Sequence, residues 1–313
     1  VGFTPQVVDL NSDGRPDIIS GSWPGELYFF AGKKKGFAKG EQLKGKDGKP
    51  LKPGSASTAF ATDWDGDGDL DLLCGTIFGK VLLARREDKK TLAFSALEPL
   101  SREGKPIVLS GKKGGGDTAP ITADWDGDGD QDLLVGVGNG SVFFFANTAS
   151  PGERIPKLAA PVNLVEGDEE RAWGWSPEKH AGDPVRCGVR VKPCAVDYDG
   201  DGRLDLLVGD YNTETVEVRG PLNAEEKALK KKLKKERNKI YAELEKQVDE
   251  RAPKKPRKEW TKEERQGWSK VYGELFEGRR KELDAISKQN EKLETHESVG
   301  HGWIWFWKRK TAG

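Results

Sequence analysis

The sequence predicts an all-β fold, a β-propeller of four-stranded blades, interrupted by an inserted antiparallel α-helical hairpin. Three observations carry this expectation. A nine-residue Asp-rich segment recurs four times, starting at Asp9, Asp63, Asp124 and Asp197. The starts lie 54, 61 and 73 residues apart, the spacing of four-stranded blades and not of short solenoid coils. Runs such as Leu133-Leu134-Val135 and Phe143-Phe144-Phe145 are apolar on consecutive residues, so their strands bury both faces, as stacked sheets do. Residues 223–295 abandon this pattern for Lys, Glu and Leu in a helical period.

Each repeat reads as four strands in order. A short apolar strand A, as at 119–123, leads into the Asp-rich loop. Strand B follows, as at 132–136 and 205–209, and ends on a Gly twelve positions after the first Asp: Gly21, Gly75, Gly136 and Gly209. A turn with a second Gly (Gly25, Gly79, Gly140) leads to strand C at 26–30, 80–84 and 141–145. A looser strand D ends near Leu43, Leu100 or Leu164. Blades 1 to 4 occupy 1–222, the hairpin 223–295, and the last strand of blade 4 with its tail 296–313. Four repeats are visible and the last is incomplete. The chain begins at Val1 and contains no Met, so a processed chain or a fragment is expected, and the lack of a visible closing strand points to sequence upstream of Val1.

The loops carry the chemistry. Positions 1, 3, 5 and 9 are carboxylates or, once, an amide: Asp9, Asn11, Asp13 and Asp17; Asp63, Asp65, Asp67 and Asp71; Asp124, Asp126, Asp128 and Asp132; Asp197, Asp199, Asp201 and Asp205. Calcium takes six to eight hard oxygens, and four such side chains supply most of them. Position 7 offers a backbone carbonyl, which leaves its side chain free to vary as Arg15, Asp69, Asp130 or Arg203. Gly at position 6 permits the sharp turn. Without a cation, the crowded carboxylates repel one another. About four calcium ions are expected. An EF-hand would need Glu at position 12 and flanking helices; here position 12 is Ser20, Cys74, Val135 or Val208, inside a strand.

The insertion has two apolar stripes. The first runs through Leu229, Leu233, Ile240, Leu244 and Val248, the second through Trp268, Val271, Leu275, Leu283, Ile286 and Leu293. Asn223 with Glu226 and Thr261 with Glu264 have capping-box spacing, and Pro253 and Pro256 separate the helices. The segment holds 22 basic and 16 acidic residues. Its Lys230–Lys235 cluster is either a polyanion site or a solvated face. The segment Gly300–Trp307 then resumes as strand C of the fourth repeat, which puts the hairpin in a B–C turn, opposite the Asp loops. The long D–A segment at 166–193 shares that face, and its Trp173, Trp175 and His180 are the candidate ligand residues; the alternative is that they merely cover the propeller. Cys74 reads as a small buried hydrophobe. A disulfide between Cys187 and Cys194 would need an oxidising compartment.

The D-x-D-G-D-G-x-x-D-L-L core at 63–73, 124–134 and 197–207 resembles the FG-GAP/VCBS repeats of integrin α-subunit propellers and of many secreted bacterial proteins. The stretch Gly21-Ser-Trp-Pro-Gly-Glu-Leu-Tyr-Phe-Phe30 is similar to propeller proteins of planctomycete-type bacteria. The first copy departs with Asn11 and Ile18-Ile19. The likeness covers about 1–220 and 300–310 and implies a calcium-binding propeller, without an activity. Net charge is zero, so no global field favours nucleic acid, and no apolar run is long enough to span a membrane. Only three His are present, and no GxSxG, P-loop or HExxH motif occurs. The expectation is a non-catalytic, monomeric interaction module with a protein or glycan partner. A carbohydrate-binding or polysaccharide-lyase-like propeller, and an adhesion module acting through the hairpin, are the alternatives. Weak calcium sites fill outside the cytosol, which favours an extracellular, periplasmic or cell-surface location.

Overall fold

A computed structural model describes residues 4–88, 91–110, 116–150, 153, 155–167 and 188–309. The chain divides into two compact units, residues 1–214 with 300–313, and residues 215–299. The fold is mostly β, with several antiparallel sheets and two long helices.

In the first unit, sheet 1 holds β1 (Gln6–Val8), β2 (Asp17–Ser20), β3 (Tyr28–Phe30) and β4 (Glu41–Gln42) in that order. Short β5 (Lys44–Gly45) follows. Sheet 2 holds β6 (Thr58–Thr62), β7 (Asp71–Gly75), β8 (Val81–Ala84) and, beyond β9 (Ala93–Phe94), β10 (Glu98–Pro99). β5 pairs with β9 in parallel and so links the edges of sheets 1 and 2. A small hairpin of β11 (Ser101–Arg102) and β12 (Lys105–Pro106) comes next. Sheet 3 holds β13 (Ala119–Ala123), β14 (Asp132–Gly136), β15 (Val142–Phe145) and β16 (Val162–Val165). Sheet 4 joins β17 (Val189–Val196), β18 (Asp205–Glu217), β19 (His296–His301) and β20 (Ile304–Trp307). β18 pairs with β17 on one side and with β20 on the other.

The registers repeat. Leu72 lies opposite Ala84, Leu133 opposite Phe145, and Leu206 opposite Trp307. Residues 304–307 therefore take the third-strand place in sheet 4, although more than eighty residues separate them from β18. Adjacent residues of each second strand point to opposite faces. Leu72 and Cys74 pack with Ile19 and Phe29 towards sheet 1, while Leu73 packs with Leu133, Val135 and Phe145 towards sheet 3. Leu134 packs with Val191, Leu206 and Val208 towards sheet 4. Three apolar interfaces thus join four sheets in series. Leu72, Leu73, Leu133 and Leu134 are fully buried, and each contributes about 1.5–3 kcal/mol relative to exposure. Cys74 is a buried free thiol pushed up to about 12 by desolvation, so it behaves as a hydrophobe.

The sheets also share a backbone device. Ala56, Asp117 and Arg190, each three residues before the proline or alanine that pairs with the second strand, have φ of 53°, 33° and 56°. Their N–H groups donate to the preceding sheet at Trp23 O (2.9 Å), Ile77 O (3.2 Å) and Gly138 O (3.0 Å). Backbone therefore approaches backbone closely at every junction, and this explains Gly21, Gly75 and Gly136 at the ends of the second strands of sheets 1 to 3, whereas β18 runs on through Gly209 to Glu217 and is longer than the 205–209 strand expected from the sequence. A Cβ on Gly75 would sit 1.8 Å from Thr118 O, and Gly21 and Gly136 are similarly crowded. Gly209 has only Lys192 O nearby, at 3.9 Å.

The second unit is a helical hairpin. α1 (Ala224–Arg251) and α2 (Lys262–Glu291) begin at Asn223 and Thr261, each with a complete capping box. Leu233, Ile240, Leu244 and Val248 of α1 are buried, as are Leu283 and Ile286 of α2 and Leu293 beyond it. Leu229 is exposed, because the helices touch over a narrower stripe than the sequence period allows. Trp268, Tyr272 and Phe276 stack along α2 at one-turn spacing, with Arg257 lying 4.2 Å over Trp268. Arg279 bridges to Glu243 across the hairpin at 2.9 Å.

Gly75→Ala should destabilise the chain by about 1–3 kcal/mol through overpacking, whereas Gly209→Ala should leave the denaturant midpoint close to wild type. Equal midpoints for the two variants would contradict the junction described here.

Candidate metal centres

Each Asp-rich segment forms the turn between the first and second strands of its sheet: 9–17 between β1 and β2, 63–71 between β6 and β7, 124–132 between β13 and β14, and 197–205 between β17 and β18. One hydrogen-bond scheme recurs. The position-1 carboxylate accepts from loop amides; Asp13 and Gly14 donate to Asp9 at 3.0 and 2.8 Å, and Asp201 and Gly202 to Asp197 at 3.0 and 2.9 Å. Asp67 and Gly68 donate to Asp63 in the same way, both at 3.0 Å, and Gly129 donates to Asp124 at 3.2 Å. The position-5 carboxylate accepts the position-7 amide, from Arg15 to Asp13, Asp69 to Asp67, Asp130 to Asp128 and Arg203 to Asp201, at 2.8–3.1 Å. At position 3, Asn11, Asp126 and Asp199 accept the position-5 amide through Oδ1. The position-6 glycines, Gly14, Gly68, Gly129 and Gly202, all have φ between 82° and 99°, where a Cβ would be strained.

Position 9 reaches beyond the loop. One oxygen of Asp17, Asp71, Asp132 and Asp205 accepts the N–H of a residue just past the third strand: Gly32 (2.7 Å), Arg86 (2.8 Å), Asn147 (2.8 Å) and Arg309 (3.0 Å). The other oxygen accepts the position-2 amide in three loops, from Leu10 (3.0 Å), Trp125 (2.9 Å) and Tyr198 (3.2 Å). All four of these Asp side chains are buried.

The carboxylates converge. One ligand-type oxygen from each of Asp63, Asp65 and Asp67 lies within 4.8 Å of the others, and the same holds for Asp124, Asp126 and Asp132 and for Asp197, Asp199 and Asp205. In loop 1, Asn11 supplies an amide oxygen, and Arg15 approaches Asp13 at 3.8 Å. In loop 4, Arg203 pairs with Asp201 at 2.9 Å. Loops 2 and 3 carry five Asp each, and the strain is visible there. Asp71 Oδ2 and Asp130 Oδ1 are buried without a hydrogen-bond partner. Desolvation, then the nearby Asp128, Asp132, Asp126 and Asp124, push the Asp130 carboxyl up to about 6. Asp71 is also raised to about 6, first by desolvation, with Asp65 and Asp67 adding and the Arg86 amide opposing. An all-oxygen donor set holding unsatisfied buried carboxylate oxygens fits a hard divalent cation.

Sequence spacing did not single out the arginines beside these loops. Arg86 is almost fully buried and donates through Nη1 to Leu10 O, at position 2 of loop 1, at 2.6 Å. Arg309, the equivalent residue of sheet 4, donates to Trp125 O, at position 2 of loop 3, and lies 5.5 Å over the Trp125 ring. The signal was a shared offset: Gly32, Arg86 and Asn147 all follow the first Asp of their repeat by 23 residues. Trp173, Trp175 and His180, the candidate ligand residues, lie outside the described residues, as does Cys187; Cys194 is a free, exposed thiol. No helix of the described residues is long and apolar enough to cross a membrane.

The raised Asp71 and Asp130 values set a pH dependence for the metal-free chain. Folding disfavours their ionised forms, so stability is lost as pH rises through about 6 and gained as pH falls towards the ordinary Asp value of 3.8. The thermal midpoint of metal-stripped protein should rise from pH 7 to pH 5; a steady fall over that interval would contradict these assignments. Among curated proteins, a sequence search finds no match to this chain. The FG-GAP-like repeat family matches residues 9–74 and 63–135. Residues 9–135 thus carry FG-GAP-like repeats.

Proposed function

We propose that this chain is a non-catalytic, calcium-stabilised interaction module of the propeller type, with one calcium ion in each Asp loop. The observation that carries this reading is loop 3, where five carboxylates crowd together and Asp130 Oδ1 is buried without a partner. A calcium ion held in this loop would offset the desolvation and mutual repulsion that raise the Asp130 carboxyl. Asp124, Asp126, Asp128 and Asp132 would complete the side-chain set, with the position-7 carbonyl as a further ligand. Magnesium fits less well, because it demands a tighter octahedron and keeps more of its water.

The stacked sheets and the FG-GAP-like matches support a propeller-like scaffold whose loops and faces bind a protein or glycan partner. Calcium here is structural. It joins the ends of the first and second strands and leaves no need for a reacting group at the ion. Such sites are filled at millimolar calcium, which favours an extracellular, periplasmic or cell-surface setting.

If each site has a dissociation constant of about 10–100 μM, 1 mM calcium stabilises the fold by about 1.4–2.7 kcal/mol per site. The thermal midpoint should therefore climb on titrating calcium into stripped protein, climb less with magnesium, and return on adding EDTA. Calorimetry should count about four ions. A midpoint indifferent to calcium and EDTA would sink the proposal.

A further inference from the structure

We infer that loop 4 carries its own counter-ion, the Lys308 ammonium, which a calcium ion must displace, so that Lys308 weakens calcium binding at loop 4. The inference rests on the calcium reading above and adds what distinguishes one loop from another. Lys308 follows β20 by one residue. Its Nζ is paired with Asp199 Oδ2 and lies 3.5 Å from Asp201 Oδ2. These are the position-3 and position-5 carboxylates, two of the four that would ligate calcium. Arg203 reaches the same Asp201 Oδ2 at 2.9 Å. Two cations thus already meet on oxygens that a metal ion would need.

The register explains why this residue reaches that loop. Phe30, Ala84, Phe145 and Trp307 occupy one place in their sheets, opposite Ile18, Leu72, Leu133 and Leu206. The next residue along is Ala31, Arg85, Ala146 or Lys308. Alanine cannot reach the loop. Arg85 approaches Asp65 Oδ2 at 3.8 Å, a longer contact to one carboxylate. Only at loop 4 does a cation at this place pair with two. Loop 3 is the opposite extreme: Ala146 stands at the equivalent place, and among the described residues no cationic side chain pairs with Asp124, Asp126, Asp128, Asp130 or Asp132. Asp130 Oδ1 is left without a partner there. The same strand position therefore decides whether a loop receives a cation from beyond the third strand of its own sheet.

Lys308 is more than half exposed, so its pairing is worth little in water and the ammonium can swing away. Its removal should tighten calcium binding at loop 4 about two- to fivefold, the scale of an exposed ion pair. Calorimetric calcium titrations of the full chain test this with Lys308→Ala, Lys308→Gln and Lys308→Arg beside wild type. One site should tighten in the Ala and Gln variants and stay at wild type in Lys308→Arg, with the number of ions unchanged. In an Asp199→Asn/Asp201→Asn background, Lys308→Ala should no longer alter the remaining sites. A calcium-free readout runs alongside: the thermal midpoint in EDTA should fall on Lys308→Ala and be held by Lys308→Arg. Calcium constants identical in wild type and Lys308→Ala, or a site that loosens in Lys308→Ala, would overturn the inference while leaving calcium binding intact. Absence of calcium binding by wild type and every variant would instead remove the calcium reading, and this inference with it.

Discussion

In each sheet a single buried carboxylate, Asp17, Asp71, Asp132 or Asp205, holds together strands and loop. It accepts the backbone N–H that follows the third strand, and in sheets 1, 3 and 4 it also caps the turn between the first two. A charged acceptor suits these buried and part-buried amides, because a charge-assisted bond is roughly twice as strong as a neutral one. Burying a charge is costly, however, and neighbouring carboxylates in the same loop increase the cost. The loops therefore answer one need of the sheet and create another. Loops 2 and 3, with five Asp each, leave Asp71 Oδ2 and Asp130 Oδ1 unsatisfied.

The sheets depend on these turns for their spacing as well as for their pairing. With the loop ends held, the second strands can present Leu72, Leu73, Leu133 and Leu134 to both neighbours. Gly21, Gly75 and Gly136 let the backbones meet at the far end. At the loop end, Arg86 and Arg309 reach from one sheet to the position-2 carbonyl of the loop before it. The interfaces of sheets 1 and 2 and of sheets 3 and 4 are thus apolar in the middle, backbone to backbone at one end, and arginine to carbonyl at the other. Distortion of a loop would be felt in the following sheet through that arginine.

The helical unit follows a different logic. Its helices are stabilised by complete capping boxes at Asn223 and Thr261, a short buried stripe and cross-hairpin ion pairs such as Arg279 with Glu243. Those ion pairs are exposed and weak, so Leu233, Ile240, Leu244, Leu283, Ile286 and Leu293 carry most of its stability.

Local features were legible in the sequence alone. The four Asp loops, the glycines twelve residues on, the two-faced strands and the helix caps each depend on a few neighbouring residues, and a repeat in one register exposes them. Which residues meet across sheets was not legible, because that depends on the register between strands far apart in the chain. Spacing marks Asp132 as an oxygen donor in a loop; only the packed sheet places it on the Asn147 amide as well. Lys308 and Arg309 look like an ordinary basic pair near the end of the chain. The pairing of Trp307 with Leu206 decides that one turns to loop 4 and the other to loop 3. Local chemistry determined that carboxylates crowd together in these loops, and tertiary register decided which loop receives Lys308, since a side chain's partner far along the chain is set by where its strand is docked.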